Sequence, residues 1–180
     1  MRHSANGRRP NSARVEQRSS RVRERPSRYT TSVRMNWVRD TFTVTCDPTK
    51  LDRAVIAQFL ASSYWAKGIP AATVDKSLEN SLCFAVLDGD RQIGFARVIS
   101  DRATIAYLGD VFILPEYRGR GLAKWLMECI VGHPDLQGLR RWFLGTRDAH
   151  GLYAQFGFTP LKRPEIFMER HDPDVYGGGA

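Results

Sequence analysis

The order of apolar runs between residues 82 and 146 constrains this chain more than any other feature. "LCFAVLDGDRQIGFARVIS" holds two β-type runs on either side of Asp88, Gly89 and Asp90. An Asp-Gly pair between such runs is a strong hairpin signal. "ATIAYLGDVFIL" adds another strand, which stops at Pro115. Leu122, Trp125, Leu126, Cys129 and Ile130 then recur at helical spacing, which makes an amphipathic helix. "LRRWFLGT" returns to strand. Strands joined by tight turns pair antiparallel, whereas strand, helix and strand in succession make a parallel crossover. One sheet must hold both. The expected fold class is α/β: a central mixed, mostly antiparallel sheet flanked by about four helices, and not doubly wound.

The flanks extend this frame. "WVRDTFTVT" reads as one first strand. Asp47 and Pro48 suit the start of a helix, with Leu51, Ala54, Val55 and Phe59 as its stripe. Tyr64 and Trp65 fall at its end, before "KGIP" breaks it. "TVDKSLENS" reads as a second helix capped by Thr73. After the last crossover strand, "AHGLYAQFG" is a short helix stopped by Gly157. "FTPLKRPEIFMER" supplies one or two further strands. Gly109 lies inside a strand, where glycine marks a bulge or a close backbone approach.

Charge separates the chain into parts. The net charge is +8, and residues 1–34 hold ten arginines against two glutamates, so the remainder is neutral. That tail has almost no large apolar side chains and is expected to be disordered. It lacks the apolar stretch of a secretory signal. A dispensable extension, with Met35 as an alternative start, is preferred over a transit peptide or a nucleic-acid-binding arm. Residues 35–172 then form one domain, and 173–180 a flexible end. Cys46, Cys83 and Cys129 are scattered without metal-ligand or disulfide spacing, and Cys83 and Cys129 sit on apolar faces. No metal site is expected. No run is long enough to span a membrane, and a cytoplasmic location is expected.

"ILPEYRGRGLAKWLME" puts Arg118, Gly119, Arg120 and Gly121 at the mouth of the amphipathic helix. A helix start has unpaired N–H groups and partial positive charge. Glycines let a ligand approach that backbone, and phosphate is the expected ligand type. Arg118, Arg120 and Lys124 would add to that preference. The two common phosphate loops are absent: there is no GxxxxGK[ST], and GxGxxG fails at Lys124. A purely structural turn stays open on this evidence alone.

Two motifs resolve it. "RGRGLA" matches R/Q-x-x-G-x-G/A at Arg118, Gly121 and Ala123, and "AHGLYAQFGF" matches A-x-x-x-Y-x-x-x-G-F at Ala149, Tyr153, Gly157 and Phe158. In this order and spacing they resemble the GNAT superfamily of N-acetyltransferases, over residues 37–170. One departure is Thr146, where the family often has Asn.

The resemblance implies acetyl-CoA as co-substrate and direct transfer to an amine. The pantetheine arm would pair with Val111, Phe112 and Ile113, where two parallel strands splay. The diphosphate would lie on Gly119, Arg120, Gly121, Leu122, Ala123 and Lys124, with Arg118 alongside. Tyr153 would serve the leaving sulfur as general acid, or else is packed between helix and sheet. Asp110 is a candidate base, though it could equally fix substrate or brace the bulge at Gly109. His150 is the other candidate base, with an ordinary pKa suited to the task, or a surface histidine. His133 looks structural. The acceptor pocket would draw on Tyr64, Trp65, Arg97 and Asp101. The expected acceptor is a small-molecule amine. A protein or peptide acetyltransferase, and a non-catalytic acyl-CoA-binding domain, remain alternatives. Relatives often dimerise, so a homodimer is possible. Nucleic acid is an expected partner only through the tail, and a membrane is not one.

Overall fold

The computed structural model describes residues 34–177. The expected disorder of the Arg-rich tail, and the end of the chain after Gly177, lie outside those residues.

Six strands form one sheet in sequence order: β1 (Asn36–Arg39), β2 (Phe42–Thr45), β3 (Leu82–Asp88), β4 (Arg91–Ser100), β5 (Ile105–Ile113) and β6 (Arg141–Leu144). Every neighbouring pair is antiparallel except β5 and β6, which are parallel. Four α-helices accompany them: α1 (Arg53–Ser62), α2 (Ala71–Glu79), α3 (Leu122–Val131) and α4 (His150–Ala154). The mixed, mostly antiparallel sheet is as the sequence predicts.

Burial divides the sheet between two cores. Val44, Phe84, Val98, Ala106 and Leu108 pack with Leu122, Leu126 and Ile130 of α3, and Tyr153 of α4 joins them. On the opposite face Cys83, Phe95 and Phe112 meet Ile56 and Leu60 of α1, and Val74 and Leu78 of α2. Phe112 stacks on Phe59 at 3.8 Å between ring centroids. Burial pushes the thiols of Cys83 and Cys129 up to about 12, so neither is a ready nucleophile. His133 is wholly buried. Its Nδ1 accepts the amide of Asp135 at 3.1 Å, and its ring meets Phe84 edge-on. It is structural, as its position before Pro134 suggests.

Several expectations need correction. Residues 37–45 are two strands, not one: Asp40 takes φ 54° and turns the chain between Arg39 and Phe42. Asp47 and Pro48 start only a 3₁₀ turn (Pro48–Lys50), and Asp52 caps α1 by accepting from the amides of Ala54 and Val55. Tyr64 and Trp65 lie beyond α1, in the bends that follow Ser63. Helix α2 starts at Ala71 after Pro70, with no side-chain cap from Thr73. Among the described residues no strand follows β6. Residues 158–170 carry only the 3₁₀ turn Pro164–Ile166, because Pro160 and Pro164 remove ladder donors. Aromatic contacts hold the segment to β6 instead: Phe158 on Trp142 and Phe167 on Phe143.

Gly94 of β4 tests the packing between the layers. A Cβ there would lie 2.5 Å from Ile113 Cδ1, 2.9 Å from the Phe112 carbonyl oxygen and 3.1 Å from Val86 Cγ2. Gly94→Ala is expected to cost about 1–3 kcal/mol by overpacking, read as a lower midpoint in urea. An unchanged midpoint would show that this layer yields without cost.

Candidate active site

The site begins where β5 loses a partner. β6 pairs with Ile105–Leu108 and ends at Leu144, while β5 runs on to Ile113. Among the described residues, 109–113 therefore have no neighbouring strand on that side. A second break lies on the other edge. Gly109 pairs with Arg97 and Phe112 with Phe95, so Asp110 and Val111 together face Ala96. That is a β-bulge, which bends and twists its strand. Asp110 sits there at φ 56°, a left-handed conformation that costs an ordinary residue about 1–2 kcal/mol.

The side chain of Asp110 accounts for that conformation. Its Oδ2 accepts from Arg97 Nε at 2.7 Å, and its Oδ1 accepts from Trp65 Nε1 at 3.2 Å. Arg97 Nη1 also donates to Ser81 Oγ at 3.2 Å. The pair is largely buried, at 17% and 11% side-chain exposure. A charge in that position must be matched. Asp110 thus ties β4, the bulge and the loop after α1 together, which is the bracing role among those open to it.

Next to the open edge lies the mouth of α3. Gly119 and Gly121 both take φ 74°, and a Cβ on either would meet nothing within 4 Å. The backbone here is left-handed and has free space beside it. The first α3 bond runs from the amide of Trp125 to the carbonyl of Gly121. The N–H groups of Leu122, Ala123 and Lys124 therefore have no helical acceptor. The geometry fits a diphosphate. The arginines contribute differently from one another. Arg118 folds back, its Nε donating to the Ile113 carbonyl at 3.0 Å. Arg120 lies over the rings of Phe42 and Tyr117 at 4.8 and 5.6 Å. Both fix the loop to the sheet as well as adding charge. Lys124 is exposed on the first turn of α3.

Tyr153 stands at the other end of the open edge. It is 8% exposed, and burial, with Tyr64 and Asp148 nearby, pushes its phenol up to about 12. Tyr153, Asp110, Arg97, Tyr64 and Trp65 line one cleft of about 320 Å³. His150 does not line it. It is exposed at the start of α4 and borders a separate cavity of about 390 Å³, which also touches Tyr153. Another cavity, about 720 Å³, follows β6 and the C-terminal segment and contains none of the predicted site residues. Among the described residues no cluster of His, Cys, Asp or Glu could hold a metal, and no helix is long and apolar enough to cross a membrane.

Asp101 is also outside the cleft. It closes the β4–β5 turn, accepting from the Thr104 hydroxyl and from the amides of Ala103, Thr104 and Ile105. Those hydrogen bonds, the Thr104 hydroxyl first, hold its carboxyl below the usual carboxylate range. Other residues of the cleft carry no sequence signal: Tyr107 looks like a strand tyrosine, and Tyr176 lies in a stretch that reads as a loose end. Thr146 does the local work expected of an Asn, since its hydroxyl accepts the amide of Ala149 at 3.0 Å.

The Arg97–Asp110 pair yields a prediction. Asp110→Asn tolerates the left-handed backbone but leaves the guanidinium without a counter-charge. It should destabilise the fold by about 3 kcal/mol in urea unfolding. The double change with Arg97→Met should cost less than the single one, the sign expected of a coupled pair. Additive losses would mean that the pair contributes little.

Comparison with known proteins agrees with this geometry. The family model described as an acetyltransferase (GNAT) domain matches residues 79–160. A candidate acetyltransferase from Gibberella zeae is 32% identical over 143 residues, covering 67% of this chain and 80% of that one. The crystal structure of a candidate GNAT-family acetyltransferase from Xanthomonas campestris pv. campestris superposes with a TM-score of 0.73 at 54% identity, covering 75% of this chain and 96% of that one. A probable acetyltransferase of unknown function from Staphylococcus aureus gives a TM-score of 0.60 at 25% identity, covering 73% and 98%. On this likeness the chain belongs to the GNAT family of acetyltransferases.

Proposed function

We propose that this protein transfers an acetyl group from acetyl-CoA to a primary amine of a small molecule. One observation carries the reading: the edge of β5 at residues 109–113, unpaired among the described residues, runs between the open mouth of α3 and Tyr153, which lines the cleft. A long, flexible thioester with a diphosphate at one end matches that run. The backbone of Gly119–Lys124, with the N–H groups of Leu122, Ala123 and Lys124 left without helical acceptors, would take the diphosphate, and the helix dipole would favour its charge. The edge at Val111, Phe112 and Ile113 would hydrogen-bond the amide-bearing arm as a strand does.

The chemistry asked of the protein is modest. The neutral amine nitrogen forms a bond to the acetyl carbon, the carbon–sulfur bond breaks, and the proton the nitrogen gives up passes through solvent to the departing sulfur, which leaves as the thiol. An edge N–H of β5 can hold the developing oxyanion. The Tyr153 phenol keeps its proton, because burial raises its pKa. It serves the departing thiolate as hydrogen-bond donor. A thiol's ordinary pKa is only about 8.5, so complete transfer from this phenol would be uphill. Asp110 positions Trp65 and the bulge through its two hydrogen bonds. His150, exposed and outside the cleft, has no part in this scheme.

Calorimetry with acetyl-CoA on the full chain tests the site. Gly121→Glu should abolish binding, because it brings a negative side chain to the diphosphate. Gly121→Ala, which adds only backbone strain, should still bind. Equal binding by both would remove the diphosphate from α3. Tyr153→Phe should lower kcat about 10²-fold while leaving acetyl-CoA affinity unchanged, and His150→Ala should leave kcat near that of the parent. With the phenol raised to about 12, thiol release should climb with pH as the amine deprotonates. It should show no falling limb below about pH 10. A fall near pH 8 would assign the acid to another group.

A further inference from the structure

Four aromatic side chains that belong to neither core gather at one cleft. Tyr64, Trp65, Tyr107 and Tyr176 are 50%, 42%, 45% and 36% exposed. They come from three separate segments: the loop after α1, strand β5 and the C-terminal turn. All four line the same 320 Å³ cleft as Tyr153. Exposed rings scattered singly need no explanation, but rings gathered around one concavity mark a binding site. Their positions are fixed. Tyr64 and Trp65 meet edge-to-face at 5.0 Å, and Trp65 is held by Asp110. The Tyr64 hydroxyl accepts the amide of Arg147 at 3.2 Å, and the Arg147 guanidinium lies 3.9 Å from the centre of the Tyr64 ring. The C-terminal turn is closed by the Gly177 amide on the Asp174 carbonyl, and its Tyr176 carbonyl packs over Gly68.

The charges of the lining are unequal. Its one cation among the described residues is Arg97, and that guanidinium is taken up by Asp110 and Ser81. Of its two carboxylates, Asp110 is matched by Arg97, while Asp148 makes no ion pair among the described residues. Among the described lining residues an acidic substituent on the acceptor would find no free cation, and the Arg147 guanidinium beside the lining is taken up by the Tyr64 ring. An ammonium would find one unmatched carboxylate and several ring faces, and ring faces attract both cations and apolar bodies.

We propose that the acceptor is a cationic amine on an aryl or alkyl body with no acidic group. It is received between Tyr64, Trp65, Tyr107 and Tyr176, with Asp148 facing its charge. This deepens the acetyl-transfer reading and rests on it. It also gives the C-terminal turn a specificity role, through Tyr176.

The test uses the full chain with phenethylamine and spermidine as acid-free amines, and glucosamine 6-phosphate and glutamate as acidic ones. Binding is measured by calorimetry on protein saturated with CoA, and turnover by thiol release from acetyl-CoA. The expected result is binding and turnover of at least one acid-free amine, with neither acidic amine reaching a tenth of its kcat/KM. Tyr176→Ala and Asp148→Asn should each raise its KM about fivefold, the scale of one exposed cation–ring contact, with kcat little changed. Binding of an acid-free amine without thiol release would keep this assignment and sink acetyl transfer. Thiol release with an acidic amine as the best acceptor would keep acetyl transfer and overturn the assignment. Absence of binding by both acid-free amines, or an unchanged KM in both variants, would also overturn it.

Discussion

Asp110 and Val111 share one position opposite Ala96, and the extra residue changes which way the rest of β5 faces. Ala106 and Leu108 belong to the core under α3. Two alternations later Phe112 should face the same way, yet it lies in the core under α1, and Ile113 takes the α3 side. A strand's side chains alternate with period two, so one inserted residue exchanges its faces. The stack of Phe112 on Phe59 depends on that exchange. So does the entry of Asp110 into the layer that holds Arg97. The left-handed backbone at Asp110 is unfavourable alone. A matched, largely buried ion pair and the indole of Trp65 hold it in place.

The same bulge divides the labour along β5. Before it, the strand is an ordinary interior member of the sheet, paired on both sides. After it, one side is free, because β6 stops at Leu144. The glycine-opened mouth of α3 follows within a few residues, and Arg118 returns to grip Ile113. In the scheme we propose, binding groups therefore come mainly from backbone that the fold leaves unpaired. Side chains brace it. This is why the arginines of "RGRG" serve partly as fasteners, and why a nearly neutral domain could still receive the diphosphate we propose.

The parts of this arrangement that rest on local chemistry were legible in the sequence. Asp88-Gly89 forms its hairpin, the apolar stripe of α3 is buried as its spacing requires, and Gly121 opens the helix. Gly109 pointed to the bulge, although the residue that takes the strained conformation is its neighbour Asp110. The parts that rest on distant partners were not legible. Nothing in "WVRDTFTVT" shows that Asp40 turns the chain, since an aspartate with positive φ leaves no pattern. Asp101 carries the same charge as Asp110, but it ends up satisfied by its own turn. The apolar alternation of "EIFMER" suggests a strand, yet no neighbour pairs with it. Tyr176 joins the cleft only because the chain end returns to the loop at Gly68. Spacing records elements, whereas long-range closure is set by packing.

β6 has a further consequence for how the molecule assembles. It joins the sheet through four residues only, in parallel, after the whole α3 segment has intervened. A contact between such distant stretches of chain carries a large closure entropy and few bonds to offset it. The β1–β2 hairpin and the β3–β4–β5 meander can zip up from local turns, whereas the β2–β3 seam, like β5–β6, joins strands separated by helices. The β5–β6 seam has to wait until α3 has docked, and in the finished protein it is a natural place for local opening to start. A ligand spanning the notch would therefore act as a latch on a seam of the sheet that no local turn builds.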